Sequence, residues 1–389
     1  MRPLQDDEKP TLPSLRGEAE ATQGPTNRGQ PPHLEAVGAR PLGCFAALAM
    51  TAGHLSEYVL MIVNALFSMS RTGAALIALG PALVFASPGH SETLRIGAQL
   101  TGTLGWELAY MKAHGLDAAA GLDLEITDLA NTEAGKVAIA SGAVDVILSD
   151  WLWVSRERTL GHELTFVPYS TALGAVMVKR DSPIQKLSDL QGKSLGVVGG
   201  PLDKSWLLLQ AYARRDGLDL ASTAKIAFAA PPLINQKLGA GELDAALQFW
   251  NFCVDLQQRG FRSLIEIAEV EKALGASGPV AIVGFVFNQD FAAQHRRTLQ
   301  AFLDTARAAR EGLGKDASEW PAIMKRIGQK DPASAELFRA RYVAGSPNRP
   351  LGEEQADARI LFKSLAAIGG AELVGNATEL DAGVYYEPR

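Results

Sequence analysis

Tryptophan, aspartate and glycine recur in this chain at places where a small molecule could be gripped. Trp106 and Trp206 stand 100 residues apart, and Trp151 and Trp250 stand 99 apart. An indole is a flat apolar plate with one N–H donor, suited to stacking on a planar molecule. Near these indoles lie Thr101-Gly102-Thr103 and Gly199-Gly200-Pro201. Glycine lets backbone come close to a ligand, and the free N–H groups of a helix start favour an anion or acceptor. Asp150 and Asp203 add carboxylates, Ser170 and Thr171 hydroxyls, and Asn251 an amide. Lys204 is the one cation near these loops, and no arginine falls in them. A carboxylate facing an apolar cleft needs a partner, which an amino or cationic group on the ligand would supply.

Plainer roles compete with these. The glycines could only make tight turns, and Asp203 could cap a helix. Trp151 and Trp250 follow strand ends directly, and ligand stacking and core packing are both open for them. Trp106 and Trp206 lie one turn into helices and could pack on a sheet. Trp153 and Trp320 are assigned to packing. Ser170, Thr171 and Asn251 could cap local backbone groups.

Groups for turnover are missing from the same loops. Gly196 to Ser205 superficially has the look of a phosphate loop, but Asp203 stands where that motif demands glycine before Lys-Ser. His162-Glu163 lacks a second histidine four residues on, and no G-x-S-x-G occurs. None of His114, His162 or His295 falls in the loops considered. The chemistry expected is recognition without turnover, with no cofactor and no metal.

The elements that must position these groups also occur twice. SGAVDVILSDW ends the first copy at Trp151 and AGELDAALQFW ends the second at Trp250, with Gly142 and Asp145 matching Gly241 and Asp244. Short β-rich runs alternate with helical ones in both copies, the pattern of a small sheet covered by helices. Strands are expected at Leu94 to Ala98, Asp123 to Thr127, Val144 to Leu148, Thr165 to Tyr169, Ala175 to Lys179, Ser194 to Val198, Lys225 to Phe228 and Ala245 to Gln248. Asn131 should cap a helix running to Ser141. Val280 to Asn288 should carry the chain back to the first unit, after which the pattern is helical. The expected fold is α/β with two lobes, each a small mixed sheet flanked by helices, and a ligand cleft between them. Its divisions are 92–173 for the first part of lobe one, 174–279 for lobe two, and 280–389 for the return and the C-terminal helices.

A composition of 47% hydrophobic and 21% charged residues is ordinary for a globular chain. Residues 1–68 are read as disordered or as an over-extended reading frame. Residues 69–91 read as a secretory signal: a short basic start at Met69, an apolar run from Gly73 to Phe85, and small residues around Ala86. Met69, or else Met61 or Met50, is the expected natural start, and an N-terminal membrane anchor is the alternative. Without residues 1–91, 31 Lys and Arg stand against 36 Asp and Glu, a mildly acidic body with no evident basic face for nucleic acid. Cys253 is then alone, so no intramolecular disulfide can form.

IQKLSDLQGKSLGVVGG (Ile184 to Gly200), GAVMVKRDSP before it, AIASGAVDVILSD and LGAGELDAAL together resemble the periplasmic solute-binding proteins of ABC importers. The nearer resemblance is to the nitrate/sulfonate/taurine and thiamine-precursor (NMT1/THI5-like) branch. It covers about residues 92–389 and is not specific to a ligand. It implies a type II periplasmic binding fold, ligand capture by hinge closure, export to the periplasm, delivery to a membrane permease with a separate ATPase, and a monomer. The ligand expected is a small organic molecule, planar and nitrogen-bearing or zwitterionic, with a sulfonate-like one also considered. An enzyme on the same fold, acting on a small aromatic or pyrimidine-like metabolite, is the alternative, and a sensor subunit is a third.

Overall fold

A computed structural model of the chain describes residues 92–329 and 333–387. The expectations for the natural start, the signal and its cleavage fall outside the described residues.

The first sheet is built from β1 (Glu92–Ala98), β2 (Leu122–Asp128), β3 (Val146–Asp150) and β4 (Leu164–Ser170). Between them run α1 (Thr103–Ala113), α2 (Thr132–Ala140) and α3 (Trp151–Thr159). The chain then crosses into a second sheet: β5 (Ala175–Lys179), β6 (Ser194–Val198), β7 (Lys225–Ala229), β8 (Ala245–Gln248) and β9 (Phe261–Glu266). Its main helices are α4 (Lys204–Arg215), α5 (Pro231–Ala240), α6 (Trp250–Gln258) and α7 (Ile267–Ala273). β10 (Val283–Asn288) returns to the first sheet, followed by α8 (Arg296–Lys315), α9 (Trp320–Arg326), α10 (Ser334–Ala344) and α11 (Leu351–Val374).

Strand order is β2-β1-β3-β10-β4 in one sheet and β7-β6-β8-β5-β9 in the other. Each sheet is therefore the same arrangement, with its fourth position filled by the strand that has just crossed over. β1 pairs parallel with β2 and β3, as β6 does with β7 and β8, while β10 and β5 run antiparallel to their neighbours. The two crossings are the short turn 171–174 and the longer stretch 274–282. Gly174 is needed at the first, because a Cβ there would lie 1.6 Å from the Gln248 carbonyl oxygen.

The repeated glycine and aspartate have a local cause. Gly142 and Gly241 take φ of 70° and 79° where α2 and α5 end, a conformation that L side chains resist. Three residues on, Asp145 accepts the Arg95 backbone N–H at 2.9 Å, and Asp244 accepts that of Ser194 at 2.8 Å. Each carboxylate so clamps the start of a central strand to its parallel neighbour. The repeat thus encodes a helix stop and a strand clamp, twice.

β9 is the strand not expected from sequence. Arg262, Ser263 and Glu266 break its apolar alternation, which an edge strand tolerates because half its surface meets solvent. The C-terminal helices join the halves: α11 packs on α3 of the first lobe and α4 of the second, and α10 packs on α6 and α8. Leu361, Phe362 and Leu365 of α11 enter one core with Trp151 and Leu152 on one side and Leu207 and Leu208 on the other. Among the described residues no helix is long and apolar enough to cross a membrane.

Candidate functional site

Loops at the carboxyl ends of β1, β3, β6 and β8 face one another across a cavity of about 530 Å³, lined from both sheets. This is where open α/β sheets place ligands, since each strand there gives way to a helix start. Five helices begin at the cavity, and they fall into two kinds. Asn131 accepts the Ala134 N–H at 2.9 Å, Asp150 that of Trp153 at 2.9 Å, and Asp203 that of Trp206 at 3.2 Å, so α2, α3 and α4 are capped by side chains. α1 after Gly102 and α6 after Phe249 carry no side-chain cap. One uncapped helix start therefore comes from each lobe, with unsatisfied N–H groups and the positive end of a helix dipole.

An ion pair crosses the cleft. Lys204 Nζ, at the start of α4, lies 2.7 Å from Asp150 Oδ2 at the end of β3. Burial alone would raise the Asp150 carboxyl, but the Lys204 ammonium and the Trp153 N–H hold it below the usual carboxylate range. Burial likewise opposes the charge on Lys204, and Asp150 outweighs it, raising the ammonium above its ordinary value. Asp203 goes the other way: burial pushes its carboxyl up to about 6, against the opposing Trp206 N–H and Lys204. Asp150 thus already has the cation that was expected to come from a ligand.

Of the residues proposed from sequence, Gly102, Thr103, Trp106, Asp150, Ser170, Gly199, Asp203, Trp250 and Asn251 meet at this one cavity. Thr101, Trp151, Thr171 and Gly200 do not. Thr101 is exposed, and its carbonyl accepts the Trp106 indole N–H at 3.1 Å. Thr171 is turned toward the loop after α10, its N–H on the Gly345 carbonyl at 2.9 Å. Gly200 lies between Gly199 and Leu202, which line the cavity, without lining it itself.

Trp151 is the main correction. It is 0% exposed and belongs to the core under α11, so it presents no face to the cleft. Trp206 is buried in that same core. Trp106 and Trp250 instead meet edge to face, ring centres 6.3 Å apart, with Trp320 and Phe338 extending the cluster. That contact spans the two lobes.

Lining groups not expected from sequence include Ser149, Trp153, Lys136, Arg156, Glu133 and Glu372. Asp150, Trp153 and Arg156 are spaced i, i+3, i+6 from a strand end, so they share a helix face, a signal that was readable. Lys136 lies 2.8 Å from Glu133 and sits over the Trp153 ring at 5.4 Å. Three cations, and the four carboxylates of Glu133, Asp150, Asp203 and Glu372, therefore line the cavity where one cation was expected. Ser149 is buried, and its hydroxyl has no hydrogen-bond partner among the described residues. No cluster of three or more His, Cys, Asp or Glu able to hold a metal ion occurs among the described residues. Among the described residues, the cavity lining includes neither histidine nor cysteine.

The sequence profile of the family described as NMT1/THI5 like matches residues 108–316. Among solved structures, the alkanesulfonate-binding protein SsuA from Xanthomonas axonopodis pv. citri, bound to MOPS, is 19% identical, with a TM-score of 0.57 over 75% of this chain and 98% of its own. The periplasmic aliphatic sulphonate binding protein SsuA from Escherichia coli is 16% identical, with a TM-score of 0.60 over 77% of this chain and 94% of its own. The desulfurization enzyme DSZB is 15% identical, with a TM-score of 0.51 over 75% and 96%. At these identities the likeness is one of fold. No curated protein matches the sequence.

Proposed function

The chain belongs to the NMT1/THI5-like family, and from that premise we infer that it is the solute-binding protein of an ABC importer, taking a small organic molecule with a sulfonate-like anionic group. The observation that carries this reading is the pair of uncapped helix starts, one from each lobe, opening into a single cavity. An oxyanion between them would satisfy N–H groups that three neighbouring helices satisfy with their own side chains. Ser149 would give it a hydroxyl hydrogen, and Lys204 its charge. Trp153, Trp250, Leu129 and Leu202 offer the apolar body of such a molecule a surface to lie on.

The reasons for preferring a nitrogen-bearing ligand weaken once Asp150 has Lys204 and once Lys136 and Arg156 line the cavity. Affinity then depends on both lobes, because neither presents all of these groups. In this reading the ion pair between Asp150 and Lys204 holds the empty cleft shut, and the ligand's anion replaces the Asp150 carboxylate as the partner of Lys204. The chain works in the periplasm as a monomer after export and hands its ligand to a permease with a separate ATPase. It binds its ligand without turnover.

Thermal-shift screening of the purified chain tests the ligand class, because a molecule that binds only the folded state raises Tm. MOPS, taurine and straight-chain alkanesulfonates are compared with aminopyrimidines, polyamines and aromatic acids. A saturable rise confined to the sulfonates supports the reading. A rise confined to the cationic or uncharged compounds overturns it.

A further inference from the structure

Thr103, the first residue of α1, lines the cleft at that helix's uncapped start. Behind it stands Tyr169, near the end of β4 and buried. The Tyr169 and Thr103 hydroxyls hydrogen-bond at 3.0 Å. The same phenol lies beside the carboxyl of Glu107, four residues on and therefore on the same face of α1. One side chain thus meets α1 on two successive turns. Tyr169 is itself locked in place. The Arg310 guanidinium of α8 donates to its carbonyl and stacks on its ring, 4.0 Å from the centre, and Phe285 of β10 meets the ring edge to face at 5.0 Å. Arg310 Nε also donates to Glu107 Oε1 at 2.9 Å, and the Tyr342 hydroxyl of α10 donates to the same oxygen at 2.6 Å. The first turn of α1 is therefore tied to β4, α8 and α10 through buried groups.

We propose, on the reading of the cleft as an anion site, that Tyr169 is a positioning residue: its hydroxyl fixes the Thr103 hydroxyl beside the free N–H groups of α1, where both meet the ligand's oxyanion. A threonine hydroxyl at a half-buried helix start has more than one staggered setting and can turn to nearby backbone groups. Held by Tyr169, it has one setting before the ligand arrives, so binding no longer carries the entropy cost of ordering it. Asn131, Asp150 and Asp203 commit their side-chain oxygens to N–H groups of their own helices. Thr103 is tied instead to a different strand, and α1 has no side-chain cap. Tyr169 also reaches the cleft lining, but its hydroxyl is committed to α1, and a phenol has one hydrogen to give. Its effect on the ligand therefore passes through Thr103.

Butane-1-sulfonate is titrated calorimetrically into the whole chain as wild type, Tyr169→Phe, Thr103→Val and the double variant. Tyr169→Phe keeps the ring that Arg310 and Phe285 hold and removes one oxygen. It should weaken binding about fivefold. In the Thr103→Val background the same change should alter affinity by less than about twofold, because the group it acts through is gone. Thr103→Ser, which keeps the hydroxyl, should retain the dependence on Tyr169. A merely structural role would weaken binding equally in both backgrounds, and direct contact of Tyr169 with the ligand would make the losses add; either result overturns the proposal, as does undiminished affinity in Tyr169→Phe. Thr103→Val alters only a half-buried side chain, so unchanged affinity in that variant overturns it even where Tyr169→Phe does not fold. A wild type that binds no alkanesulfonate overturns the anion-site reading and this proposal together.

Discussion

Trp151 and Trp250 occupy the same place in the two copies of the repeat, the first residue of the helix that follows the third strand of the plan, yet they end in opposite environments. Trp151 is sealed in the core beneath α11, and Trp250 is half-buried at the cleft against Trp106. In the other pair both indoles are buried, Trp206 in the α11 core and Trp106 in the cluster shared with α9 and α10. α11 covers Trp151 and Trp206, whereas α9 and α10 pack on Trp106 and α10 on Trp250. Duplicated sequence sets where an indole leaves the strand, and non-duplicated helices decide which core it joins.

That contrast can be broken by substitution. Trp151→Ala should remove about 3 to 5 kcal/mol of stability through cavity formation, with little change in cleft affinity of the protein that remains folded. Trp250→Ala should weaken ligand binding by about 1 to 3 kcal/mol at a smaller cost in stability. Chemical denaturation and calorimetric titration measure the two quantities separately. Equal effects on affinity would erase the distinction between the copies.

The two acids of the cleft sharpen it further. Lys204→Met leaves Asp150 charged and nearly buried without its cation, and should cost about 3 kcal/mol of stability at neutral pH. Asp203, its counterpart at the start of α4, has a carboxyl raised to about 6 from an ordinary 3.8. The folded state therefore holds its proton longer than the unfolded chain does. Its contribution favours folding at low pH and is lost as pH rises from about 4 through 6. Asp203→Asn keeps a good helix cap and removes that loss, so stability at pH 7 to 8 should rise by about 1 to 2 kcal/mol after allowance for solvent screening. Denaturant titrations across pH 4 to 8 test the sign, and a variant less stable than wild type at pH 8 would refute it. The smallest effect belongs to the part of the repeat where both copies behave alike. Gly142→Ala and Gly241→Ala should each cost about 1 kcal/mol, equally in the two lobes.

Much of this architecture was legible because its signals are local. Apolar runs of strand length ending in Ser149-Asp150 or Gln248-Phe249, and the helix stop with its aspartate clamp, lie within a dozen residues of one another. Asp150, Asp203, Gly102 and Asn251 could be placed at the strand ends for the same reason. β9 was hidden because an edge strand tolerates Arg262 and Ser263 in place of alternation. The burial of Trp151 was hidden because the residues that share its core, Leu361 and Phe362, are far along the chain and on a helix with no counterpart in the repeat. Lys136 and Arg156 lie outside the loops that carry the other site residues, at helix positions one to two turns in.

The most direct test of the account is calorimetric titration of an alkanesulfonate into wild type, Lys204→Met and Trp151→Phe. Both lobes acting on one anion in the cleft predicts one site in the wild type, affinity at least tenfold lower without Lys204, and affinity unchanged in Trp151→Phe. Binding that ignores Lys204, or that falls with Trp151, would contradict it.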